Sequence, residues 1–244
     1  MSKKFTVIVA DPPWNFKDSL SMSDVARGAQ ANYSTMTISK IKGLPVNTLA
    51  DPNGSVLALW IPSSLLQEGL DTMKAWGFNH KQTYVWVKVK KTAFGEDFKR
   101  AKKDLKETFK FLTTDGWKKK ALTSHIRDYS LSYAGRFTFL VGRLSEILSF
   151  GMGRLFRQTH EICLIGTNNN KIYKKLLNKS QRSVSFGENL KHSAKPEHLQ
   201  ESLELMFPNQ NYLELFARRI RPGWTCLGNE ICNGEDITVS IAKL

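Results

Sequence analysis

The feature that most constrains this chain is the stretch Val7-Ile8-Val9-Ala10-Asp11-Pro12-Pro13-Trp14. A run of β-branched residues fits a strand covered on both faces, and two consecutive prolines cannot donate to its ladder, so the strand must stop at Asp11. In an open, mostly parallel sheet, ligands bind just beyond the carboxyl ends of the strands. The corner combines a carboxylate acceptor, a backbone carbonyl whose direction is fixed by proline, and an indole. An amino group on a planar base requires two acceptors for its N–H bonds and a flat surface to stack on. A rigid turn followed by a core tryptophan accounts for the same residues, so the rest of the chain has to decide between the two.

The continuation predicts an α/β fold. Ser55 to Ile61 is a second buried strand, Pro62-Ser63-Ser64 opens a helix with Leu66, Leu70 and Met73 on one face, Gly77 ends it, and Gln82 to Lys88 is a third strand. This β-α-β order implies a right-handed crossover in a mostly parallel sheet. Further strands are expected at Glu161 to Gly166, Arg182 to Phe186, Tyr212 to Ala217 and Trp224 to Leu227. A helix with Pro196 near its first turn carries Leu199, Leu203 and Met206. Thr37 or Ser39 caps a short helical turn, and Asp51-Pro52-Asn53-Gly54 is a turn. The polar segment from Trp14 to Asn32 reads as a lid beside the strand end or as plain surface loop.

With 244 residues the chain is expected to be one domain, 1–244, carrying a basic insertion at about 89–150. From Lys88 to Phe150, Lys and Arg outnumber Asp and Glu roughly two to one, interleaved with Phe98, Leu105, Phe109 and Phe111, a pattern that favours helices over strands. Lys99, Arg100, Lys102, Lys103, Lys118, Lys119 and Lys120 are candidate phosphate contacts; a helical hairpin with an ordinary charged face has the same composition. A net charge of +14 favours a polyanionic partner, nucleic acid before membrane. Cys163, Cys226 and Cys232 form no CxxC pair and read as reduced thiols of a cytoplasmic protein, not as disulfides or metal ligands. The amino-terminal residues run into a strand without a signal-peptide pattern, and no apolar run reaches the length of a membrane span.

Several blocks occur in a particular order: Asp-Pro-Pro-Trp at 11–14, Tyr-x-Thr-Met at 33–36, Leu-Trp at 59–60, Trp-Gly-Phe at 76–78 and Trp-Val-Lys at 86–88. His-Glu-x-Cys-Leu-x-Gly at 160–166, Ser-x-Lys-Pro-Glu at 193–197, Glu-Leu-Phe-Ala-Arg at 214–218 and Leu-Gly-Asn-Glu at 227–230 follow. In this order they resemble the adenine N6-methyltransferases that include the catalytic subunit of the eukaryotic mRNA adenosine methyltransferase and DNA-modifying bacterial and phage members. The resemblance covers nearly all of the chain outside 89–150.

The resemblance implies a Rossmann-like sheet with helices on both faces, S-adenosylmethionine as methyl donor, and catalysis at Asp11, Pro12, Pro13 and Trp14. It implies a donor site made by Asp11, Lys195, Glu214, Phe216 and Asn229, with Arg218 and Glu230 near the ribose. The donor's zwitterionic end suits such a mixture of carboxylates, cation and amide. Trp14 and Tyr33 would stack on the target base. Few residues precede Asp11, so Asp236 and Ile237 are assigned the donor's adenine; a helix N-cap at Asp236 is the alternative. DNA is the preferred substrate by analogy with the compact bacterial and phage members, and RNA the nearest alternative. Family members act alone, as homodimers or as heterodimers with a paralogue, and a non-catalytic binding partner remains a separate reading.

Overall fold

Residues Val7, Ile8, Val9 and Ala10 are buried without exception, so the first strand is covered on both faces, and the strand ends at Ala10. The computed structural model describes residues 3–15, 35–90, 148–149, 151, 155–188, 194–231 and 234–244. The chain divides into two compact units, one comprising Met1–Trp86, Glu161–Ser185 and His192–Leu244, the other Val87–His160 and Phe186–Lys191. The second unit contains the expected basic insertion, and its seven candidate phosphate contacts, Lys99 to Lys120, lie outside the described residues, as do Tyr33 and the segment 16–34.

Along the chain the elements are β1 (Val7–Ala10), α1 (Ile38–Lys42), α2 (Val46–Leu49), β2 (Val56–Ile61), α3 (Leu66–Ala75), β3 (Asn79–Val89), β4 (His160–Thr167), β5 (Val184–Glu188), α4 (His198–Met206), β6 (Tyr212–Leu215), β7 (Trp224–Leu227) and α5 (Ile237–Ala242). Thr37 is the cap of α1, its hydroxyl accepting from the Lys40 N–H. A single 3-10 turn, Ser63–Leu65, leads into α3. Gly77 follows that helix with φ +79°, a conformation that favours glycine.

Seven strands form one sheet in the order β5-β3-β4-β2-β1-β6-β7. β1 lies parallel to β2 and to β6, with Val7 opposite Val56 on one side and Tyr212 on the other, and β6 is parallel to β7. β2 and β3, joined by α3, are not neighbours in the sheet. β4 lies between them, antiparallel to β2 with Trp60 opposite Cys163. The helix after β2 therefore carries the chain past a vacancy in the sheet that a later segment fills, a pairing that no local pattern encodes.

The two-residue alternation of the strands separates two apolar layers. Ile8, Ala10, Leu57, Leu59, Leu213 and Leu215 pack with Met73, Trp76, Ile237 and Ile241 of the α3 and α5 side. Val7, Val9, Ala58 and Trp60 pack with Leu199 and Leu203 of α4 on the opposite face. Helices on both faces of a mostly parallel mixed sheet make this a Rossmann-like α/β architecture. The carboxyl ends of β1, β2 and β6 meet at one edge, which puts Asp11, the end of β2 and Phe216 side by side.

Candidate active site

At that edge, Asp11 accepts two hydrogen bonds from Lys195 Nζ, at 3.0 Å on Oδ1 and 2.8 Å on Oδ2. The same ammonium lies 3.2 Å from Glu161 Oε2 on β4 and 5.6 Å from the centroid of the Trp60 ring. The three side chains are 24%, 14% and 19% exposed for Asp11, Lys195 and Glu161. Burial works against the ammonium, yet the two carboxylates outweigh it, so the Lys195 pKa is raised above the ordinary lysine value. Each carboxylate oxygen has more than one acceptor position, so Lys195 leaves Asp11 with room for a further donor.

A cavity of about 200 Å³ opens beside this pair, walled by Val9, Trp60, Glu214 and Gln200 among others. Glu214 stands opposite Val9 in the β1–β6 register and so shares the α4 side of the sheet with Trp60. Burial pushes its carboxyl pKa up; Arg219 opposes that shift and Asp11 adds to it. Its Oε1 accepts from Gln200 Nε2 at 3.4 Å. Gln200 is a residue the sequence reading missed. It lies on the buried side of α4 beside Leu199 and Leu203, and a glutamine on an apolar helix face was the available signal.

The loops around Lys195 are tied down by arginines. Arg219 donates to the Lys195 carbonyl at 3.3 Å and pairs with Glu197 at 3.0 Å. Arg221 grips Glu204 of α4 with two parallel bonds of 2.8 and 3.0 Å and also bonds Glu197. Phe216, the residue after β6, has φ +63°, a strained value for an aromatic residue, and with Arg218 and Arg219 it lines the cavity. Gly228 is required by close approach: a Cβ there would stand 2.3 Å from the Ala217 carbonyl oxygen.

The remaining expected residues divide. Arg218 pairs with Glu230 at 3.5 Å, so those two are brought together, although Glu230 and Asn229 are not in the cavity wall. Asp236 is a helix cap, accepting from the Thr238 N–H at 2.9 Å, and Ile237 is 4% exposed within the apolar core. The helix cap given as the alternative reading of Asp236 is therefore observed. Trp14 also departs from its expected role. It is 4% exposed, and its indole N–H donates to the Trp60 carbonyl at 2.9 Å, so it is a core residue and no open stacking face. The Pro12 carbonyl accepts from the Trp14 N–H at 2.8 Å, closing a tight turn, and keeps a second lone pair. Pro13 accepts from the Met36 N–H at 2.8 Å, which fastens the motif to the segment before α1. Among the described residues no cluster of His, Cys, Asp and Glu could hold a metal ion, and no helix is long and apolar enough to cross a membrane.

The MT-A70 family model matches residues 5–123 and 141–230. The chain is 25% identical over 231 residues to the N(6)-adenosine-methyltransferase MT-A70-like protein of Drosophila melanogaster, covering 93% of this chain and 27% of that protein. It is 27% identical over 245 residues to the human N(6)-adenine-specific methyltransferase METTL4, covering 98% of this chain and 40% of that one. It is 23% identical over 231 residues to the catalytic subunit METTL3 of the human N(6)-adenosine-methyltransferase, covering 93% and 28%. The chain thus spans well under half the length of these curated relatives. The matched segments contain Asp11, Glu161, Lys195, Gln200 and Glu214, and on that coverage the chain belongs to the MT-A70 family.

Proposed function

We propose that this chain is an S-adenosylmethionine-dependent methyltransferase acting on N6 of adenine in nucleic acid, with DNA the preferred substrate and RNA the alternative. The observation that carries the reading is the convergence of Asp11, Lys195 and Glu214 on one cleft at the carboxyl edge of β1, β2 and β6. The donor set fits the proposed cofactor: its amino-acid end bears an ammonium and a carboxylate, and the cleft offers buried carboxylates beside a buried ammonium. Lys195, just before α4, would hold the carboxylate, and Glu214 the ammonium. Bound there, S-adenosylmethionine supplies a methyl group on a positively charged sulfur.

The chain's own part is to present the amine. Adenine N6 is a weak nucleophile because its lone pair is delocalised into the ring. Acceptors for both of its N–H bonds, at the Asp11 carboxylate and the Pro12 carbonyl, favour a pyramidal nitrogen and free that lone pair. Asp11 acts as an acceptor first and takes a proton only once the nitrogen carries positive charge. The excess of Lys and Arg suits a phosphate backbone. Pairing with a second copy or a paralogue belongs to the same reading. Calorimetric titration with S-adenosylmethionine tests it: clear binding by the natural chain, weakened in Lys195→Ala, supports the assignment, and no heat in either defeats it.

A further inference from the structure

Gln200 is 3% exposed and lines the cleft, yet its Oε1 is sealed from water and has no hydrogen-bond partner among the described residues. The amide orientation follows from its neighbour. The amide nitrogen is turned to Glu214 and donates to its Oε1 at 3.4 Å, so the amide oxygen is left over. Buried polar atoms are nearly always paired, and an orphan in the wall of a cleft marks a partner that arrives with a ligand. What arrives must donate. Its charge is also defined, because an amide oxygen next to a desolvated carboxylate favours a cation over a neutral or anionic group.

We infer that Gln200 and Glu214 together form the seat for the α-ammonium of the methyl donor, with Gln200 Oε1 taking one of its three N–H bonds. This rests on the proposed function and deepens it by assigning a residue that sets ligand specificity. Burial disfavours the bare Glu214 charge, which an incoming ammonium would relieve. Lys195 cannot serve in its place, since its own positive charge repels an ammonium. Nor is the seat a general anion site, because both of its polar groups that are not already donating are acceptors.

The test is a cycle between protein and ligand, read by calorimetry. S-Adenosylmethionine, its deaminated analogue and its decarboxylated analogue are titrated into the natural chain, Gln200→Met and Gln200→Asn. A hydrogen bond to a charged group corresponds to about a tenfold or larger change in affinity, so the natural chain is expected to prefer the full donor over the deaminated analogue by at least about tenfold. Gln200→Met should shrink that preference by about tenfold while leaving the preference over the decarboxylated analogue unchanged. Gln200→Asn, which retracts the amide by one methylene, should lie between and guards against a misfolded methionine variant. An undiminished preference for the ammonium in either folded variant overturns the inference. Failure of the natural chain to bind any of the three overturns the proposed function instead.

Discussion

Lys195 Nζ lies 3.0 and 2.8 Å from the two oxygens of the Asp11 carboxylate, although 184 residues separate them in the chain. The contact joins the end of β1 to the entrance of α4 and leaves acceptor capacity on Asp11. Replacing Asp11 by Asn removes the charge yet leaves Lys195 with Glu161, so the fold should persist. Methyl transfer to adenine should fall by about a hundredfold or more, the scale seen when one preorganised electrostatic contact to a reacting group is lost. Circular dichroism alongside a tritium-methyl assay checks both halves, and full activity in a folded variant would contradict the role.

Removing the cation has a different signature. Lys195→Met leaves the Asp11 and Glu161 carboxylates, both within 3.2 Å of the former ammonium, facing each other without a counter-charge. Breaking such a pair costs up to about 3 kcal/mol where some solvent reaches it. The melting temperature of the variant at pH 7 should therefore lie below that of the natural chain, and the loss should be smaller when Asp11 is replaced by Asn in the same variant. Thermal melts of the three chains measure the difference, and an unchanged melting temperature in Lys195→Met would contradict the pairing.

Glu214 is costly to the fold for the sake of the site. Burial raises its folded pKa, so below the unfolded value it contributes no penalty, and stability declines as pH rises through the raised value. Glu214→Gln should hold or raise the melting temperature at pH 7 while weakening donor binding by about tenfold, the usual trade between a strained polar site and stability. Differential scanning fluorimetry with and without donor reads both, and a destabilised variant with normal donor affinity would contradict it.

At the opposite edge of the sheet, Lys175 Nζ lies 2.7 Å from Asp51 Oδ2, while Asp51 Oδ1 accepts from the Asn53 N–H at 2.8 Å. Burial opposes the charge, but these bonds prevail and hold the Asp51 pKa below the ordinary aspartate value. The resulting stability is present above the unfolded pKa of about 3.9 and is lost as pH falls through the lowered one. Asp51→Asn should lower the melting temperature at pH 7, and the difference from the natural chain should shrink as pH falls through the lowered value. Melts across that range check it; donor binding should not change.

The strand ends near the cleft could be read from the sequence because local rules set them. Two prolines stop β1 after Ala10, and the apolar runs of β2 and β6 need no partner to be recognised. The place of β4 between β2 and β3 could not, since parallel and antiparallel neighbours leave the same apolar pattern. Asp11, Lys195 and Glu214 were found through the order of blocks, and the cleft brings them together. Trp14 misled because a tryptophan after a strand end looks the same whether its ring faces a ligand or, as here, reaches back to the Trp60 carbonyl. Asp236 had two readings of equal local merit, and the Thr238 N–H decided for the cap. Gln200 stayed hidden because its partner, Glu214, is fixed by the sheet and not by spacing along the helix.

The most direct measurement is nucleoside mass spectrometry after incubating the chain with S-adenosylmethionine and matched duplex DNA, single-stranded DNA and RNA. The account predicts N6-methylated adenine, most abundantly in DNA, and none above background with Asp11→Asn. No methylated adenine in any of the three polymers from a chain that binds the donor, or equal yields from Asp11→Asn, would contradict it.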